Sequence, residues 1–392
     1  MLYGGMLNGR FIMIRHAAFQ LAQALTIATR YSVVREQGRS PFSDVAEEAP
    51  ILHFKSQHYR LLVLISKNYA NIFTWKGLQT SYKAMIERQS HGDQSMLSHI
   101  HILMCGLKAW STETASVGAE DARKMCGGHG YLLISGLPEI VSSVTAMATF
   151  EGENWIMWQQ VAMYIIKALA SKKLPAGMAY MNNYLLCANP APCSARGSQF
   201  LSFPILEEIL EHRAAQLTLE AAELLGPSTL HKSAAWNKFM MPLTAAAKAY
   251  IEAHIMSTFI KQVSALPASP VRDVLTKLVS LYGLTTITTP NTSDAISLFA
   301  SNYLSRIQLS EIREQVDILL EALLPDAIAL TDAWNFTDAS LCSALGMRDG
   351  NVYETIMCWT RQLPINTNAQ KTGDVFKEGF ETYIAPVIKS RL

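Results

Sequence analysis

Glu151 lies in Ala148-Thr149-Phe150-Glu151-Gly152-Glu153-Asn154, a carboxylate set between apolar neighbours and a glycine. Met147, Ala148 and Phe150 precede it, and Trp155, Ile156 and Met157 come shortly after. Apolar surroundings disfavour the carboxylate anion, whereas the amides of a helix beginning nearby favour it. That balance suits a general base, which must be ionised and yet basic enough to take a carbon-bound proton. Without wider context, a cap for the following helix is the simpler assignment for Glu151. The run Cys126-Gly127-Gly128-His129-Gly130-Tyr131 ends twenty residues earlier. Its paired glycines allow a left-handed turn and the close approach of a backbone or a phosphate, although a plain helix C-cap accounts for them equally. No strand precedes them, so this is not a dinucleotide-binding fingerprint. Arg35 is a third candidate, because a guanidinium fork matches a diphosphate; alone it reads as a solvated helix-end cation.

These residues need helices to place them. Ile12 to Arg35, rich in Ala, Leu and Gln, reads as a close-packed helix. A second helix is expected from Ile51, after Pro50, with Leu52, Tyr59, Leu62, Ile65, Tyr69, Ile72 and Phe73 at three- and four-residue spacing. A third should span Ser95 to Met125 and stop at the paired glycines, and a fourth should run from Asn154, a plausible cap, to Ser171. Pro, Gly, Asn and Ser then interrupt the pattern. The expected domains are therefore residues 1–172, a linker at 173–202, and a second helical domain at 203–392. In that second domain, Ser269, Pro270 and Gly283 should bracket a helix over Val271 to Tyr282. Ile312, Val316, Leu319, Leu320 and Leu323 form an apolar stripe that ends at Pro325. The fold class is all-α.

Composition excludes several functions. With 49% hydrophobic and 17% charged residues the chain is well buried, and a net charge of +1 offers nothing to nucleic acid or an anionic membrane. No uninterrupted apolar run of about 18 residues is present, so no membrane span is expected. Ala17 to Thr29 comes nearest and contains Gln20 and Gln23. Arg10 and Arg15 before an apolar stretch mimic a targeting peptide, but the helical spacing continues through Arg30. Six scattered cysteines without a CxxC pair argue for buried free thiols in a reducing compartment, and no metal is expected.

Taken together, the motifs resemble those of the acyl-CoA dehydrogenase and oxidase superfamily. That family carries a Gly-Gly-x-Gly-Tyr/Phe turn, then an aromatic-Glu-Gly signature about twenty residues later. Here these are Gly127-Gly128-His129-Gly130-Tyr131 and Phe150-Glu151-Gly152. The resemblance implies that Glu151 removes the α-proton of an acyl-CoA thioester. His129 and the Glu151-Gly152-Glu153-Asn154 form resemble the oxidases more than the dehydrogenases. Ala28, Tyr31, Ser32, Val34, Arg35 and Gln37 resemble the family helix whose Arg reaches the flavin pyrophosphate, across the dimer interface in the dehydrogenases. Ile51-Leu52, Phe54, Gln57, Tyr59-Arg60-Leu61 and Tyr69-Ala70 resemble the oxidase helix that follows. Lys124 and Gly38 stand where dehydrogenases place Gln and Phe, which again favours an oxidase.

The implied cofactor is FAD, with Arg35, Gly127, Gly128 and Glu153 as its contacts. The implied reaction converts acyl-CoA to trans-2-enoyl-CoA with O2 reduced to H2O2. Ser390-Arg391-Leu392 is a variant of the Ser-Lys-Leu peroxisomal signal, with Lys389 before it, which implies a peroxisomal import receptor as partner. The family's N-terminal helical and β-domains precede the region this chain resembles, so the chain alone is expected to be poorly active. It is expected to form a homodimer or to pair with a full-length oxidase; a non-catalytic helical subunit is the alternative.

Overall fold

A computed structural model of the chain describes residues 2–40, 47–186, 191–226, 233–288, 295–364, 366–367, 377 and 379–390. Its first half is built on α1 (Leu2–Val34), α2 (Lys55–Ser90) and α3 (Leu97–Met125). The short α4 (Gly127–Tyr131), α5 (Leu137–Met147) and α6 (Asn154–Ser171) follow. Small and branched residues at helical spacing on α1, Ala17, Leu21, Ala24, Leu25 and Ala28, are all buried. They seat α1 tightly on α3. Gly118 of α3 makes the fit possible: a Cβ there would stand 2.9 Å from Leu21 Cδ1 and 3.0 Å from Leu64 Cδ2.

The all-α expectation holds, with one small addition. Strands β1 (Glu36–Arg39) and β2 (Glu48–Pro50) pair antiparallel between α1 and α2. Three expected boundaries shift. α1 begins ten residues before Ile12. Pro50 opens one 3₁₀ turn (Ile51–His53), and α2 starts only at Lys55, after Phe54 in extended conformation. Gly283 does not end its helix, which continues from Pro270 to Thr288. There Leu206 and Met256 close on the glycine, and an added Cβ would meet Met256 Cε at 3.0 Å. The glycine serves packing, so the helix passes through it. Ser269 does cap, accepting from Arg272 N–H at 3.3 Å.

Residues 173–202 carry a 3₁₀ turn (Ala176–Met178), α7 (Met181–Leu186) and a further turn (Gly197–Leu201). Met178, Met181 and Phe200 are fully buried. Beyond lie α8 (Phe203–Leu225), α9 (Ser233–Lys238), α10 (Met240–Ser264), α11 (Pro270–Thr288), α12 (Ile296–Ala300) and α13 (Arg306–Leu323). The short α14 (Ala327–Asp332) and α15 (Asp338–Leu341) lead to α16 (Val352–Gln362). One apolar core runs from Leu7 to Val352. Arg213 of α8 and Glu252 of α10 form an ion pair within it at 2.6 Å, and Arg213 also donates to Thr286 O of α11 at 3.0 Å. A charge so deep is tolerable only because it is paired and hydrogen-bonded.

The stripe on α13 packs inward and ends at Leu323, before Pro325. At the other end, Ser305 and Gln308 form a reciprocal capping box. Ser305→Ala should therefore lower stability by about 1 kcal/mol. A urea midpoint unchanged from the parent protein would refute that role.

Met6–Val34 is long and apolar enough to cross a bilayer by length and composition alone. More than half of its most apolar window is buried in the protein, as in the core helix of a globular domain. Among the described residues Cys105, Cys126, Cys193, Cys342 and Cys358 are free thiols. Cys105 and Cys126 are buried, whereas Cys342 and Cys358 are exposed, contrary to the expectation of burial throughout.

Candidate active site

The turn between α5 and α6 holds Glu151 in an unusual backbone state. Its φ is +58°, followed by +104° at Gly152. A bulky residue in the left-handed region is strained by about 1–3 kcal/mol and persists only where its surroundings enforce it. Two side chains from other helices do so. Arg10 of α1 is buried and donates Nε–H to Glu151 O at 3.0 Å. Lys108 of α3, fully buried, donates to Gly152 O at 2.7 Å, Ala148 O at 3.3 Å and Asn154 Oδ1 at 3.0 Å. Asn154 in turn accepts from Thr112 Oγ1 at 3.1 Å and donates to Ala109 O at 3.3 Å.

Neither of the helix-cap assignments survives. The cap of α6 is Glu153, which accepts from Trp155 N–H at 2.9 Å. Asn154 lies inside the helix, buried against α3, and Glu151 is left free of capping duty. Its carboxylate rests instead on the N-terminal part of α1, where Gly9 leaves room. A Cβ on Gly9 would stand 2.5 Å from Glu151 Cδ and 2.6 and 2.7 Å from the two carboxylate oxygens.

The electrostatics beneath the turn are cationic. Burial lowers the Lys108 ammonium to about 8, partly offset by Glu153 and Glu151. His101 is lowered by burial and by Arg10, and Cys105 is pushed up to about 11 by burial. Arg10 Nη1 reaches Cys105 Sγ at 3.2 Å. At neutral pH the thiol is therefore protonated and unsuited to nucleophilic work.

Arg35, Gly127 and Gly128 meet elsewhere, in a cavity of about 530 Å³ that also takes in Tyr31, Arg60, Lys124 and His129. Arg35 donates to Tyr353 Oη of α16 at 3.2 Å and to Gln37 Oε1 at 3.1 Å, so the C-terminal helices reach this cavity. Arg60 is paired with Asp121 and Lys124 with Glu120, but among the described residues no carboxylate pairs with Arg35. Tyr31 Oη and His129 Nδ1 lie 2.7 Å apart, and burial pushes the phenol up to about 12. Gly127, at φ +60°, and Gly128 face open space, since a Cβ on either would meet nothing within 4 Å. A cradle of bare backbone beside a guanidinium that no described carboxylate neutralises has the chemistry a diphosphate requires.

The two groups are far apart. Gly9, beside Glu151, and Arg35 flank nearly the whole of α1, and 26 residues of helix extend about 39 Å. Glu153, expected as a flavin contact, stands beside Glu151 and apart from the Arg35 cavity. No single dinucleotide bridges that distance along one chain. The sequence reading missed Gly9, Lys108 and Tyr353 and took Arg10 only as part of a leader-like pattern. A lone Arg and a lone Lys inside apolar helical runs, Leu7 to Ile14 and Ile100 to Trp110, were the available signals.

Comparison with known proteins gives the family. The model for the acyl-CoA oxidase C-alpha1 domain matches residues 3–166, and the acyl-CoA oxidase model matches residues 202–389. The chain is 34% identical over 379 residues to peroxisomal acyl-coenzyme A oxidase 1 of Bos taurus, covering 93% of this chain and 56% of that protein. An acyl-CoA oxidase structure from Lycopersicon esculentum (tomato) superimposes with TM-score 0.90 at 29% identity, covering 99% of this chain and 58% of that one. Acyl-CoA oxidase-1 of Caenorhabditis elegans, complexed with FAD and ATP, does so with TM-score 0.88 at 29% identity, covering 98% and 57%. The chain thus spans a little over half the length of the relatives it matches. Its architecture is the helical C-terminal part of the acyl-CoA dehydrogenase/oxidase fold, and the chain belongs to the acyl-CoA oxidase family.

Proposed function

We propose that this chain is the base-bearing part of a peroxisomal, FAD-dependent acyl-CoA oxidase that yields trans-2-enoyl-CoA and H2O2. The observation that carries this reading is the Glu151 carboxylate, fixed in a left-handed turn by buried donors from α1 and α3. There Glu151 takes the α-proton of the thioester, and Arg10 and Lys108 hold the backbone around it. Bound FAD would supply the acceptor for the β-hydride and the route of that electron pair to O2. Arg35 would hold the FAD diphosphate, with Gly127 and Gly128 admitting it closely.

The distance between the two groups favours an assembly in which the Arg35 cavity of one subunit serves the flavin of another. That partner is a second copy or a full-length oxidase. The same distance supports the second reading, a non-catalytic subunit that lends its Arg35 cavity to a complete oxidase. Co-purification with a full-length oxidase, without turnover of its own, would favour that reading. Ser390-Arg391-Leu392 would address the protein to the peroxisomal import receptor; Arg391 and Leu392 lie outside the described residues.

The test is a visible spectrum of the purified chain with added FAD, then with a long-chain acyl-CoA in air, coupled to a peroxide assay. We expect weak flavin binding and little peroxide from the 392 residues alone. Turnover should appear when the remaining part of a full-length relative is fused to the chain. Robust turnover without the fusion would overturn the first expectation, and a fused protein that binds flavin but makes no peroxide would overturn the oxidase assignment. In the fusion, Arg35→Ala should weaken FAD binding about 10–100-fold, since a charge-assisted bond is worth about 1.5–3 kcal/mol. Titration of flavin fluorescence measures this, and an unchanged Kd would remove Arg35 from the site.

A further inference from the structure

Resting on the assignment of Glu151 as base, we propose that Lys108 is the positioning residue of this site: its buried ammonium is the clamp that forces the 148–154 turn into the shape that presents Glu151. The geometry is specific. An ammonium has three donors, and all three point into one turn, at Gly152 O, Ala148 O and Asn154 Oδ1, at 2.7, 3.3 and 3.0 Å. Two of these acceptors are backbone carbonyls four residues apart, on either side of Glu151. The positive φ values at 151 and 152 leave Gly152 O without a backbone amide among the described residues, while Ala148 O takes Asn154 N–H at 3.1 Å and has one lone pair left for Lys108. Buried acceptors without a donor are costly. The strained conformation therefore depends on a donor arriving from outside the turn, and Lys108 is that donor.

Its surroundings point the same way. Lys108 is fully buried, yet the groups facing it are Glu151 and Glu153 from the turn, Arg10 from α1 and Cys105 from its own helix. No carboxylate pairs with it at salt-bridge distance among the described residues. A fully buried lysine without a paired acid serves poorly as a stability device, because its desolvation is not offset by an ion pair. Carbonyl coordination is what it offers. All three Lys108 donors are engaged by the turn, so its effect on chemistry passes through Glu151.

Amide hydrogen exchange on the 392-residue chain tests the clamp without requiring turnover. In Lys108→Met, which keeps length and apolar volume, the amides of residues 148–155 should exchange at least about tenfold faster, while α8, α10 and α11 keep wild-type protection. Asn154→Ala removes one of the three acceptors and should raise exchange in the same segment by less. Wild-type exchange at 148–155 in both variants overturns the proposal. So does unfolding throughout Lys108→Met with wild-type exchange in Asn154→Ala, for Lys108 would then be a core residue and no clamp. In the flavin-loaded fusion, Lys108→Met should lower kcat at least about tenfold and leave KM for acyl-CoA within about threefold, as expected when a base is misplaced but binding is intact. A loosened turn with unchanged kcat overturns the link to Glu151. If Glu151→Gln is also without effect, the oxidase reading fails, while the exchange result stands by itself.

Discussion

Glu151→Gln is expected to slow flavin bleaching by a saturating long-chain acyl-CoA about 10²–10⁴-fold, the range that one positioned general base contributes. Gln keeps the size and most of the hydrogen-bonding capacity of Glu but cannot accept the α-proton. The turn should survive the change, because it is held through backbone atoms: Arg10 grips Glu151 O, and Lys108 grips Ala148 O and Gly152 O. Flavin affinity should also be unaffected, since the Arg35 cavity lies at the far end of α1. Stopped-flow absorbance of the fused protein separates these effects, with the bleaching rate collapsing while the oxidised flavin spectrum and Kd stay as they were. A bleaching rate within about fivefold of the parent would mean that another group takes the proton.

What could be read from the sequence divides along a physical line. The helices were legible because their burial is periodic and local: the α13 stripe, the Ser269 cap and the α6 run each write their own boundary within a few residues. The base was legible because its neighbours in the chain, Phe150 and Gly152, belong to a signature. What holds the base was not legible. Gly9 and Arg10 approach Glu151 across more than 140 residues, and Lys108 across more than 40. Nothing in their local sequence names the turn they grip. Gly283 shows the same limit from the other side. As local punctuation it reads as a helix end, but Leu206 and Met256 are what it answers to. Asn154 gives up its expected role as a cap for a similar reason. Asn154 is drawn inward by Thr112 and Lys108 of α3, which leaves Glu153 to cap the helix. Residues that end elements are read from the chain, whereas residues that position a reactive group are set by tertiary neighbours.

Gly9→Ala offers the second large effect, and its signature runs opposite to ordinary damage. The new Cβ would fall within 2.5–2.7 Å of the Glu151 carboxyl group, a distance no Cβ tolerates. What must move is the end of a flexible side chain, while α1 and its packing on α3 stay put. Replacing a helical glycine by alanine contributes about 0.5–1 kcal/mol of stability, so the fold should be as stable as before or slightly more so. The carboxylate, however, loses its resting place and shifts by roughly the 1 Å that separates a clash from a contact. A displacement of that size costs a positioned catalytic group about 10²-fold in rate. We therefore expect kcat of the fused enzyme to fall about 10²-fold while the thermal midpoint holds or rises. A simple packing defect would lower both together. Equal or faster turnover in Gly9→Ala would show that the pose against α1 is a resting state which the base leaves before it acts, and that Gly9 restrains Glu151 when it should release it.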